Sequence, residues 1–70
     1  MSLVIKRSVT VAGHRTSISL ETEFWTELQR IAKTRGLSIN ALIAELDATR
    51  GGHNLSSALR LAVLADLKHQ

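Results

Sequence analysis

The sequence has no cysteine and no proline, one tryptophan, one phenylalanine, no tyrosine, and no long run of apolar residues. Without cysteine there is neither a disulfide nor a thiolate metal site, and a reducing compartment, the cytoplasm, fits. No stretch approaches the roughly 18–20 apolar residues of a membrane span. No cationic start runs into a continuous apolar core, so neither a signal peptide nor a membrane partner is expected. His14, His53 and His69 stand at no ligand spacing from one another or from a carboxylate, which makes them surface or loop residues and leaves no metal site. No serine sits in a nucleophile-elbow context or beside a fixed base. "RGGH" at 50–53 lacks phosphate-loop spacing and follows no strand. Neither an enzyme nor a cofactor is expected.

What is present is one small domain, residues 1–70, with 44% hydrophobic residues and mean hydropathy +0.07. That length lies near the lower limit for a stable core without disulfides, metal or oligomerisation. With the first two excluded, a homodimer is expected. The net charge of +3 is unevenly placed. Residues 1–20 hold Lys6, Arg7 and Arg15 and no acid, whereas residues 21–70 hold six bases and six acids. The whole excess lies in the N-terminal segment, which suits a polyanionic partner, and the remainder is a neutral scaffold.

The pattern predicts a mainly α domain with a short β-strand. Residues 3–11, "LVIKRSVTV", are β-branched and partly alternating. "AGH" at 12–14 is a turn signal, so residues 1–13 form either a basic arm or an extra hairpin strand. A strand is predicted at 14–20. Helical spacing of Phe24, Leu28 and Ile31, widened by Trp25 and Ala32, predicts a helix over 22–35. Acids crowd its start and bases its end, as the helix dipole prefers, and Gly36 offers a left-handed stop. A second helix is predicted at 38–49, capped by Ser38, with Ile39, Leu42, Ile43 and Leu46 on one face. A third, at 55–69, is capped by Asn54 or Ser56. Its "ALRLAVLADL" is apolar over most of its circumference, which predicts burial on more than one side.

The strand carries the functional signal. "HRTSISL" alternates, with Arg15, Ser17 and Ser19 on one side and Thr16, Ile18 and Leu20 on the other. A lone strand must find a partner, and the same strand of a second chain closes an antiparallel ribbon by two-fold symmetry. Ile18 and Leu20 then face the helices, while Arg15, Ser17 and Ser19 project together. A two-stranded ribbon fits the B-DNA major groove, where Arg bonds guanine O6 and N7 and Ser hydroxyls meet several base edges.

"RTSISLETEF", a helix, then "GLSINALIAEL" resembles the ribbon–helix–helix family of dimeric bacterial DNA-binding proteins. The stand-alone members with "KRSVT", "AGHRTSISLE" and "NLSSALRL" are the most similar, and the resemblance covers nearly the whole chain. It implies a ribbon–helix–helix dimer: an intermolecular two-stranded antiparallel ribbon plus three helices per chain. It further implies a repressor or other transcription regulator that binds double-stranded DNA. The family's base-reading positions fall on Arg15, Ser17 and Ser19, and its phosphate grip falls on Leu37, Ser38 and Ile39 at a helix start, where free amides bind phosphate. Lys6 and Arg7 would add phosphate contacts from the arm. The expected dimer core is Ile18, Leu20, Phe24, Trp25, Leu28, Leu42, Ile43 and Leu46. Two serines among three reading positions carry limited base information.

Two other readings compete. A helix-turn-helix fits the spacing of Ala32 and Gly36, but Ile39, Leu42, Ile43 and Leu46 leave its recognition helix almost no surface for bases. The alternative of another class is an antitoxin-like adaptor that binds a protein partner through residues 55–67.

Overall fold

The computed structural model describes residues 3–52 and 54–69; His53, Gln70 and the first two residues of the arm lie outside the described residues. The chain runs β1 (Val4–Val11), β2 (His14–Glu21), α1 (Thr22–Thr34), α2 (Ile39–Ala48) and α3 (Leu55–Lys68). The three helices lie within a residue of their expected bounds.

β1 and β2 form an antiparallel hairpin whose register runs from Val4 opposite Glu21 to Val11 opposite His14. The two-residue connection, Ala12 and Gly13, has positive φ at both positions, +52° and +81°. A type I′ turn requires positive φ at both central residues, and its twist matches that of the strands it joins. The ribbon is thus two-stranded within one chain. Sequence alone draws the second strand from another copy, because Ala-Gly is a weaker turn signal than Asn-Gly and leaves residues 3–11 open between arm and strand.

Alternation divides the hairpin into two faces. Val9, Val11, Ile18 and Leu20 are buried against the helices, joined there by Leu28, Ile31 and Ala32 of α1, Leu42 and Ile43 of α2, and Leu59 and Val63 of α3. Ile18, Leu20, Leu28, Leu42 and Ile43, expected at a dimer core, are already buried within a single chain. Phe24, Trp25 and Leu46 are half-buried around that core.

The junctions follow from local chemistry. Gly36, at φ +68°, ends α1 with its N–H donating to Lys33 O at 3.1 Å and that of Leu37 donating to Ala32 O at 2.8 Å, the paired bonds of a Schellman stop. Ser38 and Asn54 cap α2 and α3, accepting from the N–H groups of Ala41 and Ser57. Arg30 ties α1 to α3 by bonding Glu27 on its own helix and Asp66 on the other. The carboxylate of Asp66, then that of Glu27, raises the Arg30 pKa further. Within one chain α3 buries only one face, and Leu61, Leu64 and Leu67 each remain 47% exposed; the burial on more than one side that its composition predicts is more than one chain supplies.

Candidate nucleic-acid interface

The polar face of the hairpin is built by strand alternation and register. Arg15, Ser17 and Ser19 of β2 stand opposite Thr10, Ser8 and Lys6 of β1, and all six are exposed. Side chains opposite one another in a sheet share a face, so two cations and four hydroxyl groups lie together. The nearest acid on that face is Glu21, at the far end of β2. Its carboxyl is held below the ordinary value of 4.5 by its own backbone N–H first and then by the Arg60 guanidinium. The β1 half of this face, Ser8 and Thr10 above all, escapes a reading of the sequence because it depends on the hairpin.

Arg7 does not join Lys6. It lies on the opposite face, its guanidinium carbon 4.4 Å from the Trp25 ring centroid, with a buried Nε that has no hydrogen-bond partner. Lys6 and Arg7, expected to grip phosphate alike, thus stand on different faces of the hairpin, because neighbours in a strand face opposite ways.

The start of α2 has the makings of a phosphate grip. Ser38 is extended, with φ −70° and ψ 159°, and its Oγ accepts from Ala41 N–H at 3.0 Å. That leaves the amides of the first turn open, beside half-buried Leu37 and Ile39, and the turn carries no acid to compete for them.

α3 reaches the ribbon as well. The Ser19 N–H donates to Ser56 Oγ at 3.1 Å, and Arg60 donates to the Ser19 carbonyl at 3.1 Å and to Glu21 Oε1 at 3.0 Å. The same guanidinium lies 6.0 Å from the Phe24 ring centroid. A cleft of about 570 Å³ runs along β2, with Thr16, Ser17 and Ser19 on one wall and Asp47, Arg50, Asn54 and Ser56 on the other. Among the described residues no group of His, Asp and Glu is disposed to hold a metal, and no helix is long and apolar enough to cross a membrane.

A family model described as the ribbon-helix-helix domain matches residues 4–67. No curated protein and no solved structure matches the chain. Domains of that family are in general DNA-binding, dimer-forming regulators of transcription and not typically enzymes. The matched span runs from the first residue of β1 nearly to the end of α3, over both strands and all three helices. The chain belongs to the ribbon–helix–helix family.

Proposed function

We propose that this chain is a sequence-specific DNA-binding protein, a repressor or other regulator of transcription, that works as a homodimer and sets a β-ribbon into the major groove. The observation that carries this reading is the exposed face of Lys6, Ser8, Thr10, Arg15, Ser17 and Ser19 on a two-stranded sheet. In the dimer the central pair is β2 with β2 of the second copy, and β1 flanks it on each side. Strand spacing then divides the labour. Two strands fit a groove about 12 Å wide, whereas four strands span about 14 Å between the outermost backbones. The flanking strands lie at the lips of the groove, where Lys6 meets phosphate, and Arg15 and Ser17 face the bases. Backbone amides at the start of α2 hold a further phosphate.

Selection of bound sequences from a random duplex pool, followed by salt titration of the best site, tests the reading. A recovered two-fold-symmetric site, bound much more tightly than random duplex, is the expected outcome; equal binding to every duplex would leave only an unspecific polyanion binder. A second reading, an adaptor that docks a protein through α3, is favoured by the exposed row of Leu61, Leu64 and Leu67. A stable hetero-complex without any DNA binding would support it over the first.

A further inference from the structure

β2 has an edge that β1 does not use. In a two-residue hairpin the closing pair, here Val11 and His14, exchanges hydrogen bonds, and bonded and non-bonded pairs alternate from there. By that alternation Arg15, Ser17 and Ser19 turn their N–H and C=O groups away from β1. Ser19 bears out the parity, since both of its backbone groups meet side chains of α3. Among the described residues the edge groups of Arg15 and Ser17 have no such partner, and the cleft opens beside Thr16 and Ser17. An unpaired edge of this kind takes an antiparallel strand.

A symmetric pairing with β2 of a second copy, joining outward-turned groups, can be centred on any of residues 15–18. A centre on Ile18 fails because it sets Ser17 against the other copy's Ser19, whose backbone groups Ser56 and Arg60 already hold. Centring on Arg15 sets two guanidinium groups directly opposite each other, and like charges so placed destabilise a sheet. Centring on Ser17 requires Arg15 to bond the backbone of the other copy's Ser19, which Ser56 and Arg60 already hold. Centring on Thr16 sets Arg15 opposite Ser17 of the second copy and uses only groups that are open. It also brings the two Thr16 side chains together, a favourable cross-strand pair. Thr16 lies on the face that buries Val9 and Ile18, yet it is exposed, as a residue awaiting such a neighbour would be. We infer that the intermolecular ribbon is centred on Thr16, and that Ser56 and Arg60 of α3 fix this register by closing Ser19 to pairing. The inference rests on the dimeric ribbon proposed above.

The chain has no cysteine, so single-cysteine variants report the register directly. Thr16→Cys and Ser17→Cys, both at exposed positions, are oxidised at micromolar concentration and the linked dimer is followed on non-reducing gels. Centring on Thr16 gives a non-hydrogen-bonded pair with Cα atoms about 4.5 Å apart, within disulfide reach. It holds the two Ser17 Cα atoms beyond about 7 Å, where no bridge forms without backbone movement. Thr16→Cys should therefore link at least about tenfold faster than Ser17→Cys. Adding Ser56→Ala and Arg60→Ala to the Ser17→Cys variant should speed its linking, because Ser19 is then open to pairing. Faster linking of Ser17→Cys than of Thr16→Cys, or no effect of opening Ser19, would overturn the register while leaving the dimer in place. If both variants sediment as dimers and neither links, the β2 edge is not the interface. A folded monomer at the same concentration would remove the dimeric ribbon itself.

Discussion

The guanidinium of Arg7 lies over the ring of Trp25, 4.4 Å from its centroid, while Lys6, the neighbouring cation, is exposed on the opposite face of the same strand. The two charges therefore have different work. Lys6→Ala should weaken binding to all duplexes alike and flatten the dependence of log K on log salt by about 0.9, the share of one phosphate that is no longer neutralised. Arg7→Ala should leave that slope unchanged, lower stability by about 0.5–1 kcal/mol by removing the cation–π interaction, and alter Trp25 fluorescence. Salt titrations and melts of both variants check it; equal slopes for the two would mean that Arg7 leaves the ring to reach DNA.

Of the three positions proposed to read bases, Arg15 alone has a side chain able to make a bidentate contact to guanine. Arg15→Ala should cost about 1–3 kcal/mol on the preferred duplex and relax its sequence preference. Ser17→Ala should cost less, because a hydroxyl distinguishes bases poorly. Titration of selected and random duplexes side by side measures both effects. If Arg15→Ala weakened the two duplexes equally, Arg15 would be a phosphate contact and not a reader.

The hairpin turn carries strain that can be relieved. Ala12 is the one non-glycine residue with positive φ, at +52°, among those described, and an L-residue held there costs roughly 1–2 kcal/mol. Asn tolerates that region and leads Gly in the preferred type I′ pair. Ala12→Asn should raise stability by about 1 kcal/mol, read as a higher denaturant midpoint at constant slope. Unchanged stability would mean that the turn relaxes without help.

That turn also explains what the sequence disclosed and what it hid. The helices were legible because each of their signals is local: Gly36 as a left-handed stop, Ser38 and Asn54 as caps, and the spacing of Leu28 and Ile31. Arg15, Ser17 and Ser19 were legible as one face because strand alternation is local too. Ser8 and Thr10 join that face only through cross-strand register, which Ala12 and Gly13 set. Arg60 and Ser56 meet Ser19 across a sequence separation of about forty residues, and no periodicity encodes a meeting of that kind. Ile18 and Leu20 are buried within one chain already, and a core that a second copy would extend cannot be told from a core of one chain by periodicity.

The Glu21 carboxylate, held by its own backbone N–H first and then by Arg60, makes a pH-dependent contribution with a definite sign. The carboxyl is held below its ordinary value of 4.5, so the stability it adds is present above that value and is lost as pH falls through the lowered one. The raised Arg30 pKa contributes no slope here, since that group stays protonated throughout. Glu21→Gln should therefore melt below the wild type at about pH 7, and the gap should narrow when both are melted near pH 3. A gap that did not change with pH would assign the effect to packing and not to charge.

Ser38 separates folding from binding. Its Oγ accepts from Ala41 N–H at 3.0 Å, one of the four amides at a helix start that lack an intrahelical partner. Ser38→Ala removes that acceptor and should cost about 0.5–2 kcal/mol of stability. Ser38→Asp keeps the cap, and a carboxylate suits the N-terminal end of the helix dipole, so the free protein should fold as well as the wild type or slightly better. On DNA the same carboxylate would stand against the phosphate that the open amides are proposed to hold, and it would be repelled. The two readouts must therefore move apart: Asp neutral or better in a thermal melt, yet clearly worse in a duplex titration, most of all at low salt where screening is weakest. If Ser38→Asp bound duplex as tightly as wild type, the start of α2 would not approach the DNA backbone, and the grip would have to come from the ribbon alone.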